Sequence, residues 1–309
     1  MRNAFAAAIT ALAARDERIV LLSGDIGNRL FDTYRARFPN RFFNCGVAEQ
    51  NMTGMAAGLA LSGLRPFTYT ITPFATTRVI EQIRVDICYH NVPVVIVGTG
   101  SGLSYASLGP THHSCEDVGI LRCLPNLTVL CPADALEVGP MIEAAFTSNG
   151  PVYVRLGKKG EPAIHEQPPT IEIGRGLVMR EGTDVCLLGM GTMTATALTA
   201  GQQLMAHGIS ARVVSMHTVK PLDETLLRES FERFTLVATV EEHSMIGGLG
   251  SAVAEWLGVH RPRPGVLEAI GTPDTFLSAA GSQRWMREQC GLTPRAIADR
   301  IARRFRAIP

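Results

Sequence analysis

Val92-Pro93-Val94-Val95-Ile96-Val97 is an apolar, β-branched run with no polar residue at alternate positions. A strand with one wet face alternates; one that does not alternate is covered on both faces, as in a parallel sheet held between helices. Runs of this kind recur at 18–22, 65–71, 92–98, 127–131 and 151–156. Helix-like stretches lie among them at 3–14, 50–62, 75–90 and 134–147, the last closed by Asn149-Gly150-Pro151. The order predicts an α/β, doubly wound, mostly parallel domain over 1–160. From 157 to 183 the pattern breaks into glycine and the pair Pro168-Pro169, and 161–183 reads as a linker. A second doubly wound domain is expected over 184–309, with strands at 185–188, 211–215 and 236–240. A chain of 309 residues accommodates both.

Several function classes drop out on composition. Lys+Arg number 29 and Asp+Glu 28, with no basic run, so there is no electrostatic footprint for nucleic acid. The seven cysteines are scattered, without Cys-x-x-Cys or Cys/His clustering, and read as free thiols in a reducing compartment. The alanine-rich start is broken by Thr10 and followed by Arg15-Asp16-Glu17-Arg18, which suits a first helix better than a signal peptide. No apolar run approaches the roughly 18 to 20 residues that span a bilayer. A soluble, cytoplasmic protein without a membrane partner is expected.

The stretch Arg41-Phe42-Phe43-Asn44-Cys45-Gly46-Val47-Ala48-Glu49-Gln50-Asn51 runs from an apolar strand end through Gly46 into a small-residue helix. Glu49 therefore sits at a strand-to-helix turn, where open α/β folds bind ligands. The same local pattern also fits a first-turn acid complementing the helix dipole. Downstream come Pro73-Phe74, Glu81-Gln82-Ile83-Arg84, Gly109-Pro110-Thr111-His112-His113 and Leu121-Arg122-Cys123-Leu124-Pro125-Asn126. Together with Gly46-Val47-Ala48-Glu49-Gln50-Asn51, these motifs resemble, in order and spacing, the transketolase-like family of thiamine diphosphate enzymes. The resemblance covers the pyrimidine-binding domain and, more loosely, the C-terminal domain.

The resemblance implies a role for each matching residue. Glu49 is the acid that hydrogen-bonds the cofactor's aminopyrimidine, Phe74 the ring packed against it, and Asp25 an aspartate close to the cofactor. Ile71 and Thr77 are weaker lining positions. His112 would contact the substrate oxygen and shuttle protons near neutral pH, with His113 a second candidate. Arg155, Lys158 and Arg2 lie where related enzymes bind a substrate phosphate, although each also reads as a solvated surface cation.

Two absences shape the reading. The family's diphosphate motif opens Gly-Asp-Gly and ends in Asn, its oxygen donors holding magnesium; Ser23-Gly24-Asp25-Ile26 breaks it, and Gly-Asp-Gly occurs nowhere. No metal ligands are therefore assigned here. The chain resembles the C-terminal half of a split transketolase, transferring a two-carbon ketol unit to an aldehyde. A partner subunit with Gly-Asp-Gly…Asn would hold Mg2+ and share the thiamine diphosphate, in an assembly expected to be a heterotetramer. Gly189-Met190-Gly191 has the context of a dinucleotide turn but lacks the third glycine and a following acid. Gly100 and Leu108 stand where sugar-phosphate transketolases usually carry a histidine and an acid, which points to a donor other than the common ketose phosphates, such as a modified sugar or a 2-oxo acid. The β subunit of a 2-oxo acid dehydrogenase or decarboxylase shares this layout and remains open.

Overall fold

The computed structural model describes residues 1–27, 29–261 and 265–308. Among the described residues twelve strands form two sheets. The first half supplies β1 (Ile19–Ser23), β2 (Phe42–Asn44), β3 (Arg65–Ile71), β4 (Val95–Thr99), β5 (Thr128–Leu130) and β6 (Val152–Leu156). The second supplies β7 (Leu177–Arg180), β8 (Val185–Gly189), β9 (Ala211–Ser215), β10 (Thr218–Lys220), β11 (Leu236–Ser244) and β12 (Val266–Thr272). One sheet runs β10-β5-β6-β4-β3-β1-β2 and the other β12-β11-β8-β9-β7, all neighbours being parallel except β10–β5 and β7–β9. The expected α/β class with mostly parallel sheets is the one observed.

The unalternated run feeds β4, and its neighbours explain the pattern. Val95 and Val97 pack on one face with Phe5 and Ile9 of the helix Arg2–Ala13 and with Met141 and Ile142 of the helix Ala135–Thr147. Ile96 packs on the other face with Met52, Ile83 and Val118. Each side of the strand meets a helix layer, so its central positions are apolar, and the polar Thr99 at its end is buried with its hydroxyl on the Gly157 carbonyl at 3.1 Å.

Three expectations are corrected. The regular helix expected over 75–90 is broken into Thr72–Ala75, a single 3-10 turn at Thr77–Val79, Ile80–Gln82 and a π-helical stretch Ile83–Tyr89. The break falls at Thr76, whose backbone is non-helical (φ −129, ψ −83) and whose hydroxyl bonds the Thr72 carbonyl at 2.7 Å. The stretch expected as a linker is partly strand, because Leu177–Arg180 pairs antiparallel with β9. Its earlier part is tied down as well, Ile164 and His165 donating their amides to Asp134 Oδ2 at 2.8 and 3.1 Å. Finally, β10 comes from the second half yet edges the first sheet, so the two sheets share more than a hinge. Among the described residues no helix is long and apolar enough to cross a membrane.

Candidate active site

From β1 the chain steps outward to β2 and then back across to β3, so the strand order reverses at β1 and β3. Crevices at such reversals, outside the carboxyl ends of the strands, are where open α/β sheets take ligands. Glu49 begins the helix Glu49–Leu61 just there and is 3% exposed. The end of β1 passes beneath it with room only for glycine: a Cβ at Gly24 would lie 2.9 Å from Thr70 Oγ1 and 3.5 Å from Glu49 Cγ.

Half of the expected site residues form one continuous path. Arg78 Nη1 donates to Glu49 Oε2 at 2.9 Å, and its guanidinium lies 3.9 Å over the centroid of the Phe74 ring. Phe74 meets the His112 imidazole edge-on at 5.4 Å, and His112 stands 6.2 Å from the Tyr105 ring. Lys158 Nζ sits 4.3 Å over that ring, while Arg2 Nε donates to the Lys158 carbonyl at 3.0 Å. Carboxylate, aromatic faces, imidazole and two cations thus follow one another along the first sheet's rim. Ile71 and Thr77 flank Phe74 in the chain, the first half-buried and the second exposed.

Arg78 and Tyr105 were not expected here. Arg78 reaches Glu49 from beyond the break at Thr76, which a regular helix would not allow for. Tyr105 is betrayed only by Gly100, whose φ of +75 and lack of a side chain make room for the ring: a Cβ there would run into Tyr105 Cε2 and Cδ2.

Arg155 is the clearest correction. It is buried, with Nε donating to Asp117 Oδ2 at 2.8 Å and Nη2 to Asp117 Oδ1, the Ser114 carbonyl and the Glu242 carbonyl at 3.0 to 3.1 Å. Burial alone would raise the Asp117 carboxyl, but the adjacent guanidinium outweighs it and holds it below the usual carboxylate range. Arg155 is committed to the interior and offers the cleft nothing. His113 is also buried; desolvation lowers its pKa, with the Ala106 backbone and Glu242 opposing, and its Nε2 has no protein partner. Asp25 is exposed, has positive φ, and accepts from Asn44 Nδ2 at 2.8 Å.

These donors do not fit a magnesium site. The Asp25 turn offers one carboxylate already bonded to an amide, Ser23 Oγ occupies the Ile26 carbonyl at 3.0 Å, and among the described residues no three His, Cys, Asp or Glu side chains converge to hold a metal. The Gly189-Met190-Gly191 turn is closed too. Thr194 Oγ1 bonds the Gly189 carbonyl at 3.2 Å, and the Thr194 backbone lies where a Gly189 Cβ would go.

Comparison with known proteins gives concordant matches. Residues 1–161 match the family described as "Transketolase, pyrimidine binding domain" and residues 174–297 the one described as "Transketolase, C-terminal domain". A putative transketolase C-terminal section from Methanocaldococcus jannaschii is 38% identical over 304 residues, covering 97% of this chain and 95% of that protein. The 6-deoxy-6-sulfo-D-fructose transketolase subunit SqwH from Clostridium sp. is 37% identical, covering 96% and 92% respectively. A solved structure described as a split gene transketolase, inactive beta4 tetramer, is 41% identical with a TM-score of 0.89 over 96% of this chain and 95% of that chain.

Proposed function

Because the chain belongs to the transketolase family, we propose that it is the C-terminal subunit of a split thiamine-diphosphate-dependent transketolase that moves a two-carbon ketol unit to an aldehyde. The observation that carries this is Glu49: a buried carboxylate at the strand-order reversal, joined by contacts to Phe74, His112 and Lys158. The residues present fit the pyrimidine half of the cofactor, an acid for a ring nitrogen beside an aromatic face. A partner subunit would grip the diphosphate and the magnesium ion. The relatives described as a C-terminal section and as a subunit, and the inactive β4 tetramer of a split enzyme, support a chain that works only when paired. A heterotetramer in the cytoplasm is the corresponding assembly.

When bound, thiamine diphosphate supplies carbanion chemistry at C2 of its thiazolium ring. Glu49 would hydrogen-bond the pyrimidine nitrogen through the carboxyl oxygen that Arg78 leaves free, with burial excluding competing water. Phe74 fixes the plane of the heterocycle at little entropic cost. His112 moves a proton at the substrate oxygen, and Lys158 with Arg2 holds an anionic end of the substrate. Leu108, 52% exposed, offers no acceptor to a donor hydroxyl, which favours a donor lacking the usual one.

The test is reconstitution with a subunit bearing Gly-Asp-Gly…Asn, with thiamine diphosphate, Mg2+ and a panel of ketose and 2-oxo donors including hydroxypyruvate and pyruvate. Glu49→Gln is expected to lower turnover by about 10²-fold or more while the pair still assembles. Full activity in that variant would overturn the assignment. Release of carbon dioxide from pyruvate without ketol transfer would favour a 2-oxo acid decarboxylase.

A further inference from the structure

The loop carrying His112 is built largely by the other half of the chain. We propose that Glu242, at the end of β11, is a positioning residue for His112, acting through the backbone of 102–116 and touching neither cofactor nor substrate. The proposal rests on the role given to His112 above.

Glu242 is 2% exposed, and its Oε1 accepts from the Leu103 amide at 2.6 Å. Gly102, next to it, has φ +61, and a Cβ there would meet Glu242 Oε1 at 2.5 Å and the Glu242 carbonyl oxygen at 2.8 Å. Backbone and carboxylate are therefore seated against each other with no space between. Gly102 in turn exchanges both backbone bonds with Ser114 at 2.9 Å, which brings the two feet of the loop together with His112 near the far foot. Arg155 Nη2 bonds the Ser114 and Glu242 carbonyls, and the Ser244 amide bonds the Cys115 carbonyl at 2.6 Å. Two residues of one strand end, Glu242 and Ser244, thus set both feet.

The carboxylate is itself held. Gln283 Nε2 donates to its two oxygens at 2.9 and 3.2 Å, and Arg287 Nε bonds Oε2 while its Nη2 reaches Thr192 Oγ1 at 3.1 Å. Gln283 and Arg287 belong to the helix Gln283–Gln289, whose Met286 packs with Leu103 and Ala106. A buried carboxylate with fixed donors on one side and a loop amide on the other transmits the position of the second sheet to the loop. Misplacing a reacting group by about 1 Å can cost 10²-fold in rate, so loss of this clasp should register at His112.

Two measurements test the proposal. In the full chain alone, hydrogen exchange of 101–116 should quicken by about tenfold or more in Glu242→Ala and by less in Glu242→Gln, whose carbonyl still accepts from Leu103 although its amide then faces Arg287 Nε. In the reconstituted pair, Glu242→Ala should lower kcat by about 10- to 100-fold in the wild-type background and by less than about twofold in a His112→Ala background. Unchanged exchange in Glu242→Ala would overturn the proposal, as would an equal loss of kcat in both backgrounds, which is the mark of a merely structural residue. If the wild-type pair transfers nothing, the transketolase reading fails, while the exchange experiment still decides whether the clasp exists.

Discussion

At the scale of single residues, the most constrained position in the site is Gly100, squeezed by its own φ and by the Tyr105 ring. Gly100→Ala is expected to cost about 2–4 kcal/mol, part from the left-handed backbone and part from the collision. In a Tyr105→Ala background the collision is gone, so the same substitution should cost only about 1 kcal/mol in a urea denaturation cycle. Equal costs in both backgrounds would show that the ring does not fill that space. Glu49, Phe74 and His112 could be singled out because each lies in a short motif of fixed order. Arg78 was not, since its meeting with Glu49 follows a helix break at Thr76 that no local pattern announces. Arg155 misled for a related reason: a cation at a strand end reads as exposed, whereas its partner Asp117 is 38 residues earlier and no local pattern joins them.

At the scale of elements, the helix Ala135–Thr147 is held by acids at its start. Asp134 caps it, accepting from the Leu136 and Glu137 amides, and Glu137 Oε2 accepts from the Ala133 amide at 2.7 Å while its Oε1 meets Ser215 Oγ of β9 at 3.0 Å. Burial pushes the Glu137 carboxyl up to about 7, with the Ala133 amide and Ser215 opposing. A folded pKa above the unfolded one means the folded state binds the extra proton. The stability it brings is complete below about pH 4.5 and is lost as pH rises to about 7. Glu137→Gln keeps an acceptor for Ala133 and gives Ser215 a donor without a charge. Over that window the variant should lose less stability than the wild type, ending more stable at pH 8 by on the order of 1–3 kcal/mol. Glu241, pushed by burial to about 7 as well, retains its own slope, so the difference between the two pH profiles is what to measure. Identical profiles would remove Glu137 as a titrating group. Most long elements were readable from apolar period and caps; β7, β10 and β12 were not, because edge strands take their identity from the neighbour they pair with.

At the scale of the whole molecule, composition and a glycine-proline break suggest two bodies on a tether, yet one apolar core runs through both. Val118, Leu121, Leu124 and Val129 of the first half share a cluster with Met190, Val214, Met216, Val219 and Leu249 of the second. Across this core β10 lies antiparallel on β5, and Lys220 Nζ bonds the Arg122 and Leu124 carbonyls. Domains move independently unless their interface is large and hydrophobic, and this one is continuous core. Residues 1–183 alone would expose the edge of β5 and strip the apolar partners from its neighbours, leaving a sticky, unpaired strand. The full chain is therefore expected to melt in one transition, with calorimetric and van't Hoff enthalpies in a ratio near one. The fragment 1–183 should be insoluble or bind hydrophobic dyes, and co-expression with 184–309 should restore a folded pair. A soluble fragment with its own sharp transition would show that the second half is dispensable to the first. The His112 loop would then need a source of rigidity other than the strand end at 242 to 244.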